Sequence, residues 1–425
     1  MTEVIIYPGS LEGEVLIPAS KSISQRAVIC AGLSEGISTI NNIGTSEDIE
    51  TICEAMKSLG VTIERSGSSL KIEGNTALAL ENQLIDCHES GSVLRFLIPI
   101  AALTGKSVVF SGKGRLIERP LTPYFDIFDK QGIKYEASGG KLPLHINGRL
   151  SPGEFMLKGN ISSQFISGLM FALPLMESDS QITVTTELES KPYVDLTMKV
   201  LEDFSIDIDN HGYRDFHIKG KQKYRARDYN IEGDFSQAAF WLAAGALGSR
   251  VRCKGLDMDS LQGDKQVVEI IRSMGGRITA ENDSVTALPA GTKGMLIDVS
   301  QCPDLVPIIA VLGALSEGRT EIVKAKRLRL KESDRLKAIS SELGKLGAFI
   351  EEGQEGLVIY GRKSLKGGRV DSWNDHRIAM ALAIAATRCK EPVIIDGASS
   401  VKKSYPDFWG HYKALGGNIN ERDMG

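Results

Sequence analysis

Six candidate helix starts, near Ser20, Ser90, Ser162, Asp234, Asp304 and Asp375, follow one another at intervals of 70, 72, 72, 70 and 71 residues. So regular a recurrence marks one supersecondary unit used again and again. After each start, a run of small and apolar residues ends at a turn and gives way to a strand. Gly36-Ile37-Ser38-Thr39-Ile40, Gly105-Lys106-Ser107-Val108-Val109-Phe110 and Gly318-Arg319-Thr320-Glu321-Ile322-Val323 show the pattern. A second helix then ends at a glycine before another strand, as in Leu59-Gly60-Val61-Thr62-Ile63 and Leu346-Gly347-Ala348-Phe349-Ile350, except that Phe204-Ser205-Ile206-Asp207-Ile208 fills its slot without one. A further strand closes the unit, for example Leu70-Lys71-Ile72-Glu73-Gly74. The unit reads βαβαββ. Six copies predict an α/β (α+β) fold of two similar domains with three units each.

The sixth unit reaches Gly425 before its last strand, and a spare strand, Val4-Ile5-Ile6-Tyr7-Pro8-Gly9, lies at the other end of the chain. Joining the two makes one domain of residues 19–232 and another of 1–18 with 233–425. The chain then crosses twice, near 18–20 and 231–234, which permits hinge closure around a ligand.

The repeat also gathers chemistry at one topological position. The starts read Ser20-Lys21-Ser22, Ser90-Gly91-Ser92, Ser162-Ser163-Gln164, Asp234-Phe235-Ser236-Gln237, Pro303-Asp304 and Asn374-Asp375-His376-Arg377. Ser20 or Ser22 is the predicted N-cap of the first helix. Helix N-termini carry partial positive charge and free N–H groups, so a cleft that they face attracts anions. Lys21 and Arg26 add cations at the first start, and Gly91 lets backbone approach a ligand closely. Further cations stand at Arg115, Arg119, Lys331, Arg335, Lys402 and Lys403, with Glu332 and Asp334 interleaved. Guanidinium groups suit planar carboxylates and phosphates held by paired hydrogen bonds.

Composition narrows the field. A net charge of −4 does not suit a protein coated for nucleic acid. The six cysteines are scattered, with no CxxC pair and no metal-like spacing, which suits reduced thiols in the cytoplasm and no metal. The N-terminus lacks a secretory pattern, and the apolar runs near 166–176 and 378–387 are too short to cross a bilayer. No partner helix or exposed apolar stripe is evident, so a monomer is expected.

A set of motifs spread over nearly the whole chain resembles the 5-enolpyruvylshikimate-3-phosphate (EPSP) synthase family, the 3-phosphoshikimate 1-carboxyvinyltransferases. They are Lys21-Ser22-Ile23-Ser24-Gln25-Arg26, Gly91, Glu118-Arg119-Pro120, Ser162-Ser163-Gln164, Ser190-Lys191-Pro192-Tyr193, Glu232-Gly233-Asp234, Lys331-Glu332-Ser333-Asp334-Arg335, Asn374-Asp375-His376-Arg377 and Lys403. The resemblance implies two domains of three βαβαββ units, an inside-out α/β barrel arrangement closing like a clamp. It implies transfer of the enolpyruvyl group of phosphoenolpyruvate to the 5-hydroxyl of shikimate 3-phosphate, with release of phosphate and no cofactor.

By similarity, Lys21, Gly91, Arg119, Gln164, Arg335, Arg377 and Lys403 hold phosphoenolpyruvate. Lys21, Ser22, Arg26, Ser162, Ser163, Gln164, Ser190, Tyr193, Asp304 and Lys331 hold shikimate 3-phosphate, with Ser92, Asp375 and His376 in support. Asp304 is the expected handler of the acceptor hydroxyl proton and Glu332 of the methylene proton, while Lys21 assists the departing phosphate. The sequence leaves these three roles exchangeable. Glu89, Ser92, Phe96 and Arg327 depart from residues usual in the family. Competition by glyphosate against phosphoenolpyruvate is implied as well, with Gly91 favouring sensitivity and Ser92 and Phe96 able to blunt it.

Two other readings are enolpyruvyl transfer to UDP-N-acetylglucosamine and a non-catalytic anion-binding relative. The first uses a reactive loop cysteine, and the loop around Gly112-Lys113-Gly114-Arg115 has none. The second is disfavoured by Lys21, Asp304, Glu332 and His376 occurring together.

Overall fold

The computed structural model describes residues 2–78 and 80–423. Its strands form six four-stranded sheets, all with one internal plan. In the sheet ordered Leu84–Asp86, Val108–Ser111, Leu144–Asn147, Lys134–Ala137, the first pair is parallel and the other two pairs are antiparallel. A parallel pair needs a crossover, here the helix Gly91–Ala102. A second helix, Thr122–Gln131, leads into the closing hairpin.

The chain divides into two compact units, Met1–Pro18 with Glu232–Gly425, and Ala19–Ile231. Each has its own apolar core, one running from Val4 to Leu415 and the other from Ile23 to Ile231. Two strands depart from strict chain order. Glu12–Leu16 precedes the first helix in sequence but pairs in parallel with Arg250–Lys254. Asp228–Asn230 precedes the helix Phe235–Leu247 but pairs with Ile37–Asn41. Two units of the repeat have therefore exchanged their first strands. The N-terminal strand Thr2–Ile6 lies between Val393–Asp396 and Ile419–Asp423, antiparallel to both, and fills the last-strand position of the sixth sheet.

The crossover helices are the inner ones. Every residue of Phe235–Leu247, Val306–Ala314 and His376–Ala386 is buried, as expected of helices that are apolar on all sides. The following helices are amphipathic; Glu47–Ser58 buries Ile49, Ile52, Cys53, Ala55 and Met56 and turns Glu47, Glu50 and Glu54 outward. Several of the polar side chains that reach the inner layer do so at the first turns of the inner helices.

Ser20, Ser162, Asp234 and Asp375 cap those turns, each accepting a backbone N–H from two or three residues on. Asp304 does not. The helix expected to begin there is Val306–Ala314, entered through the short 3₁₀ turn Pro303–Leu305. Pro303 and Pro307 lack N–H groups and fix φ, so the entry is tight and the Asp304 carboxylate is left for other partners.

No described helix is long and apolar enough to cross a membrane. All six cysteines are free and buried, and burial pushes the Cys53 and Cys389 thiols up to about 12. Since the thiolate is the reactive form, native protein at neutral pH is expected to resist a thiol reagent. All six should react after denaturation; rapid native labelling would contradict this burial.

Candidate active site

The unit Ala19–Ile231 gathers hydroxyls, amides and cations around its helix starts. Lys21 opens the first helix behind its cap Ser20, and its Nζ lies 2.7 Å from Asp48 Oδ2. Asp48 belongs to the first turn of Glu47–Ser58, and its backbone oxygen accepts Gln25 Nε2 at 3.4 Å. Gln25, also buried, accepts Ser92 Oγ at 2.7 Å and donates to Ser90 Oγ at 3.4 Å. Lys21 and the Ser90-Gly91-Ser92 turn thus belong to one hydrogen-bonded group.

Gly91 has a specific neighbour. A Cβ at this position would stand 2.6 Å from Arg119 Nη1, so only glycine lets that guanidinium lie where it does. Arg119 is buried and follows the 3₁₀ turn Gly114–Glu118. Arg95, on the same helix as Gly91, donates to Gln164 Oε1 at 2.7 Å and lies 4.9 Å from the centre of the Phe165 ring. It links Gln164, beside Ser162 and Ser163, to the glycine turn. Neither Arg95 nor Asp48 was expected as a site residue. Arginine in the otherwise apolar run Gly91–Ala102 was the available signal for the first.

Arg26, Ser22, Ser190 and Tyr193 form a second group. Arg26 donates to Thr197 Oγ1 at 2.8 Å, to the Ser22 carbonyl at 2.7 Å and to the Tyr193 carbonyl at 3.1 Å. It packs 5.1 Å from the Phe96 ring centre, and burial lowers its pKa to about 10. Two of its nitrogens therefore brace the first helix against Lys191–Asp203, and the third bonds back within its own helix. Ser190, just ahead of that helix, is buried with φ 58°. Phe96 is a core residue beneath Arg26, edge-on to Phe171 at 5.4 Å.

In the unit containing Glu232–Gly425, Asp304, Lys331, Glu332, Arg335, Asp375, His376, Arg377 and Lys403 come together. Arg335 is the hub. Only 1% exposed, it donates to Asp304 Oδ1 at 2.9 Å, Glu332 Oε2 at 2.7 Å and Asp375 Oδ2 at 2.8 Å. Asp304 also meets Arg377 Nη2 at 3.1 Å and Lys331 Nζ at 3.5 Å. Asp375 caps the helix His376–Ala386 through Arg377 N at 2.9 Å and accepts Ser333 Oγ at 2.9 Å. Arg377 reaches Ser236 Oγ at 3.1 Å, so it touches the first turn of a second inner helix. The buried His376 ring places Nδ1 3.9 Å from Asp375 Oδ1. Lys403 Nζ donates to the Asn374 carbonyl at 2.7 Å. Arg327, one of the departures from the family, donates to the Ser300 carbonyl.

Charge decides protonation here. Burial pushes the Asp304 carboxyl up, but Arg377, Lys331 and Arg335 together outweigh it and hold the group well below the usual carboxylate range. Asp375 is likewise raised by burial and lowered more strongly by Arg335 and His376. Burial lowers the Lys331 ammonium despite the opposing pull of Asp304. In the ligand-free site Asp304 is an anion and a weak base. Any ligand that draws Arg335, Arg377 and Lys331 toward its own negative charge makes Asp304 a better proton acceptor.

Comparison with known proteins meets this geometry. Residues 6–412 match the family described as EPSP synthase (3-phosphoshikimate 1-carboxyvinyltransferase). The 3-phosphoshikimate 1-carboxyvinyltransferase of Clostridium kluyveri is 55% identical over 425 residues, covering 100% of both chains. That of Clostridium novyi is 54% identical over 434 residues, again with 100% of each covered. Among solved structures, EPSP synthase from Acinetobacter baumannii aligns over 100% of both chains with a TM-score of 0.84 at 24% identity. The enolpyruvyl transferase NikO from Streptomyces tendae aligns over 100% of this chain and 99% of its own, with a TM-score of 0.81 at 18% identity. Those two likenesses speak for the fold, whereas the family match and the close relatives carry the assignment. The chain belongs to the EPSP synthase family of 3-phosphoshikimate 1-carboxyvinyltransferases.

Proposed function

We propose that this enzyme transfers the enolpyruvyl group of phosphoenolpyruvate to the 5-hydroxyl of shikimate 3-phosphate and releases phosphate. The observation that carries the reading is the pair of carboxylates, Asp304 and Glu332, held on one buried guanidinium at 2.9 and 2.7 Å. Each substrate brings a carboxylate and a phosphate, the latter contributing about −1.5 to −2 charge near neutral pH. Fixed cations are needed to receive them, and both units supply such groups.

The reaction is an addition followed by an elimination. The acceptor oxygen bonds to C2 of phosphoenolpyruvate as its proton leaves, and C3 gains a proton to become methyl. The methyl then returns a proton, the double bond re-forms and phosphate departs. Asp304 takes the hydroxyl proton once anionic substrates have drawn off its cations. Glu332 exchanges the C3 proton, and Lys21 steadies the leaving phosphate. Arg335, Arg377, Lys403, Arg119, Gly91 and Gln164 hold phosphoenolpyruvate. Lys331, Ser22, Arg26, Ser162, Ser163, Ser190 and Tyr193 serve shikimate 3-phosphate, with Ser92, Asp375 and His376 fixing neighbours. The enzyme acts in the cytoplasm as a monomer.

The test is phosphate release on mixing the protein with phosphoenolpyruvate and either shikimate 3-phosphate or UDP-N-acetylglucosamine. Release with the first acceptor alone is expected; release with only the second, or with neither, ends the proposal.

Two further outcomes follow from the geometry. Gly91→Ala should displace the Arg119 guanidinium and raise KM for phosphoenolpyruvate, while Tm changes little because the tip of an arginine moves easily. An unchanged KM would show that Arg119 does not serve that ligand. Free-enzyme kcat/KM for shikimate 3-phosphate should fall on the alkaline side below the ordinary lysine range of about 10.4, because burial lowers Lys331. In Lys331→Arg that limb should move to higher pH. If the limb stays in place, another group titrates.

A further inference from the structure

We propose that Glu342, which no catalytic expectation included, is a positioning residue that sets the loop aiming Asp375 and Arg377. The inference rests on the function proposed above.

The helix Arg335–Lys345 carries Arg335 at its start and Glu342 seven residues on. Seven residues are close to two helical turns, so both side chains leave the same face. Arg335 Nε grips Asp375 Oδ2 at 2.8 Å. Glu342, 0% exposed, grips the other end of the same loop. Its Oε2 accepts Asp371 N at 2.9 Å, and its Oε1 accepts Trp373 Nε1 at 2.9 Å. One helix face thus staples the stretch 371–375 at both ends.

What lies between the staples is backbone that would not hold by itself. Trp373 and Asn374 are consecutive non-glycine residues with φ of 54° and 52°. Side chains with a Cβ seldom adopt that region, and such residues persist where surrounding groups over-determine them. Ser372 Oγ donates to the Gly397 carbonyl at 3.0 Å, and a Cβ on Gly397 would stand 2.4 Å from that oxygen. The left-handed turn also directs the Asn374 carbonyl at Lys403 Nζ, 2.7 Å away. It delivers Asp375 as the cap whose Oδ1 receives Arg377 N. A relaxed loop would move Asp375, Arg377 and the Lys403 anchor together, all on the side proposed to hold phosphoenolpyruvate.

A buried carboxylate is an expensive way to fill a core. Apart from Lys345, Glu342 takes its hydrogen bonds from Ser341, the Asp371 backbone and the Trp373 indole. Trp373→Phe removes one staple and keeps the ring. Glu342→Gln keeps the shape and weakens both.

Steady-state kinetics and amide hydrogen exchange, measured on the full chain, test the idea. A displacement of about 1 Å near the chemistry costs on the order of 10²-fold. Each variant is therefore expected to lose roughly that factor in kcat/KM for phosphoenolpyruvate, mostly through KM, while KM for shikimate 3-phosphate stays near the wild-type value. Because both variants break one shared bond, the double variant should lose less than the product of the single losses. Exchange at the Arg377 amide should speed up in Trp373→Phe, with the interior of the Arg335–Lys345 helix unchanged.

Unaltered KM for phosphoenolpyruvate in Trp373→Phe overturns the proposal, as does uniform loss for both substrates in step with lowered Tm. If the wild-type protein releases no phosphate, the functional reading fails separately. The exchange measurement then still decides whether Glu342 holds the loop: unchanged Arg377 protection refutes it.

Discussion

Asp304→Ala and Asp304→Asn are expected to lower turnover by roughly 10²–10⁴, the usual worth of one acid–base group, while substrate binding largely survives. The reason lies in the company that Asp304 keeps. Its carboxylate occupies Arg335 Nη1 at 2.9 Å, Arg377 Nη2 at 3.1 Å and Lys331 Nζ at 3.5 Å. Removing it leaves three cations with less negative charge to share, and anionic substrates should gain from that. KM for phosphoenolpyruvate should stay level or fall while kcat drops; a level KM is the pattern of a group used only in the transition state. Steady-state phosphate release measured for both variants decides the matter. Turnover near wild type would remove Asp304 from the proton pathway and pass its role to Glu332.

The second large effect concerns stability. Arg335→Met leaves Asp304, Glu332 and Asp375 without their shared guanidinium, and Asp375 is 0% exposed. Breaking a buried ionic cluster from one side costs about 3–5 kcal/mol, because the remaining charge is uncompensated. For a unit of this size each kcal/mol is worth about 2–4 °C, so the transition of the Glu232–Gly425 unit should fall by roughly 6–20 °C. Arg335→Lys should recover little, since one ammonium cannot span three carboxylates as the planar fork does. Calorimetry of the two variants is the check; a loss of only a degree or two in the methionine variant would show that the cluster relaxes.

Much of this was legible in the chain because each repeat restates its turn chemistry. The glycine after five of the six second helices, replaced by Ser205 in the third unit, and the polar residues at each inner helix start survive as fixed offsets, so six sheets of one plan were foreseeable. The strand exchange was not. Asp228–Asn230 and its counterparts Leu84–Asp86 and Leu296–Asp298 are only three residues long, too short for a periodic signal. At Asp304 a helix start was expected because its spacing matched, but Pro303 and Pro307 override the spacing locally.

The hub role of Arg335 was hidden for another reason. Glu332 lies only three residues before Arg335, but Asp304 and Asp375 come from distant stretches of chain, and no local pattern states which cation faces those two carboxylates. Glu342 was harder still. On an amphipathic helix it reads as an ordinary surface glutamate paired with Lys345, and only packing reveals it as buried.

The seating of the first strand has a practical corollary for rearranging the gene. Thr2 stands opposite Asp423 in an antiparallel pair, so the two ends of the described chain are neighbours. A short peptide tie between them, with new ends opened between Pro18 and Ala19, would make Glu232–Gly425 and Met1–Pro18 one unbroken stretch following Ala19–Ile231. Each folding body would then be encoded by a single contiguous segment. Simple truncation at residue 232 would instead strip one sheet of its middle strand, Thr2–Ile6, and another of its edge, Glu12–Leu16.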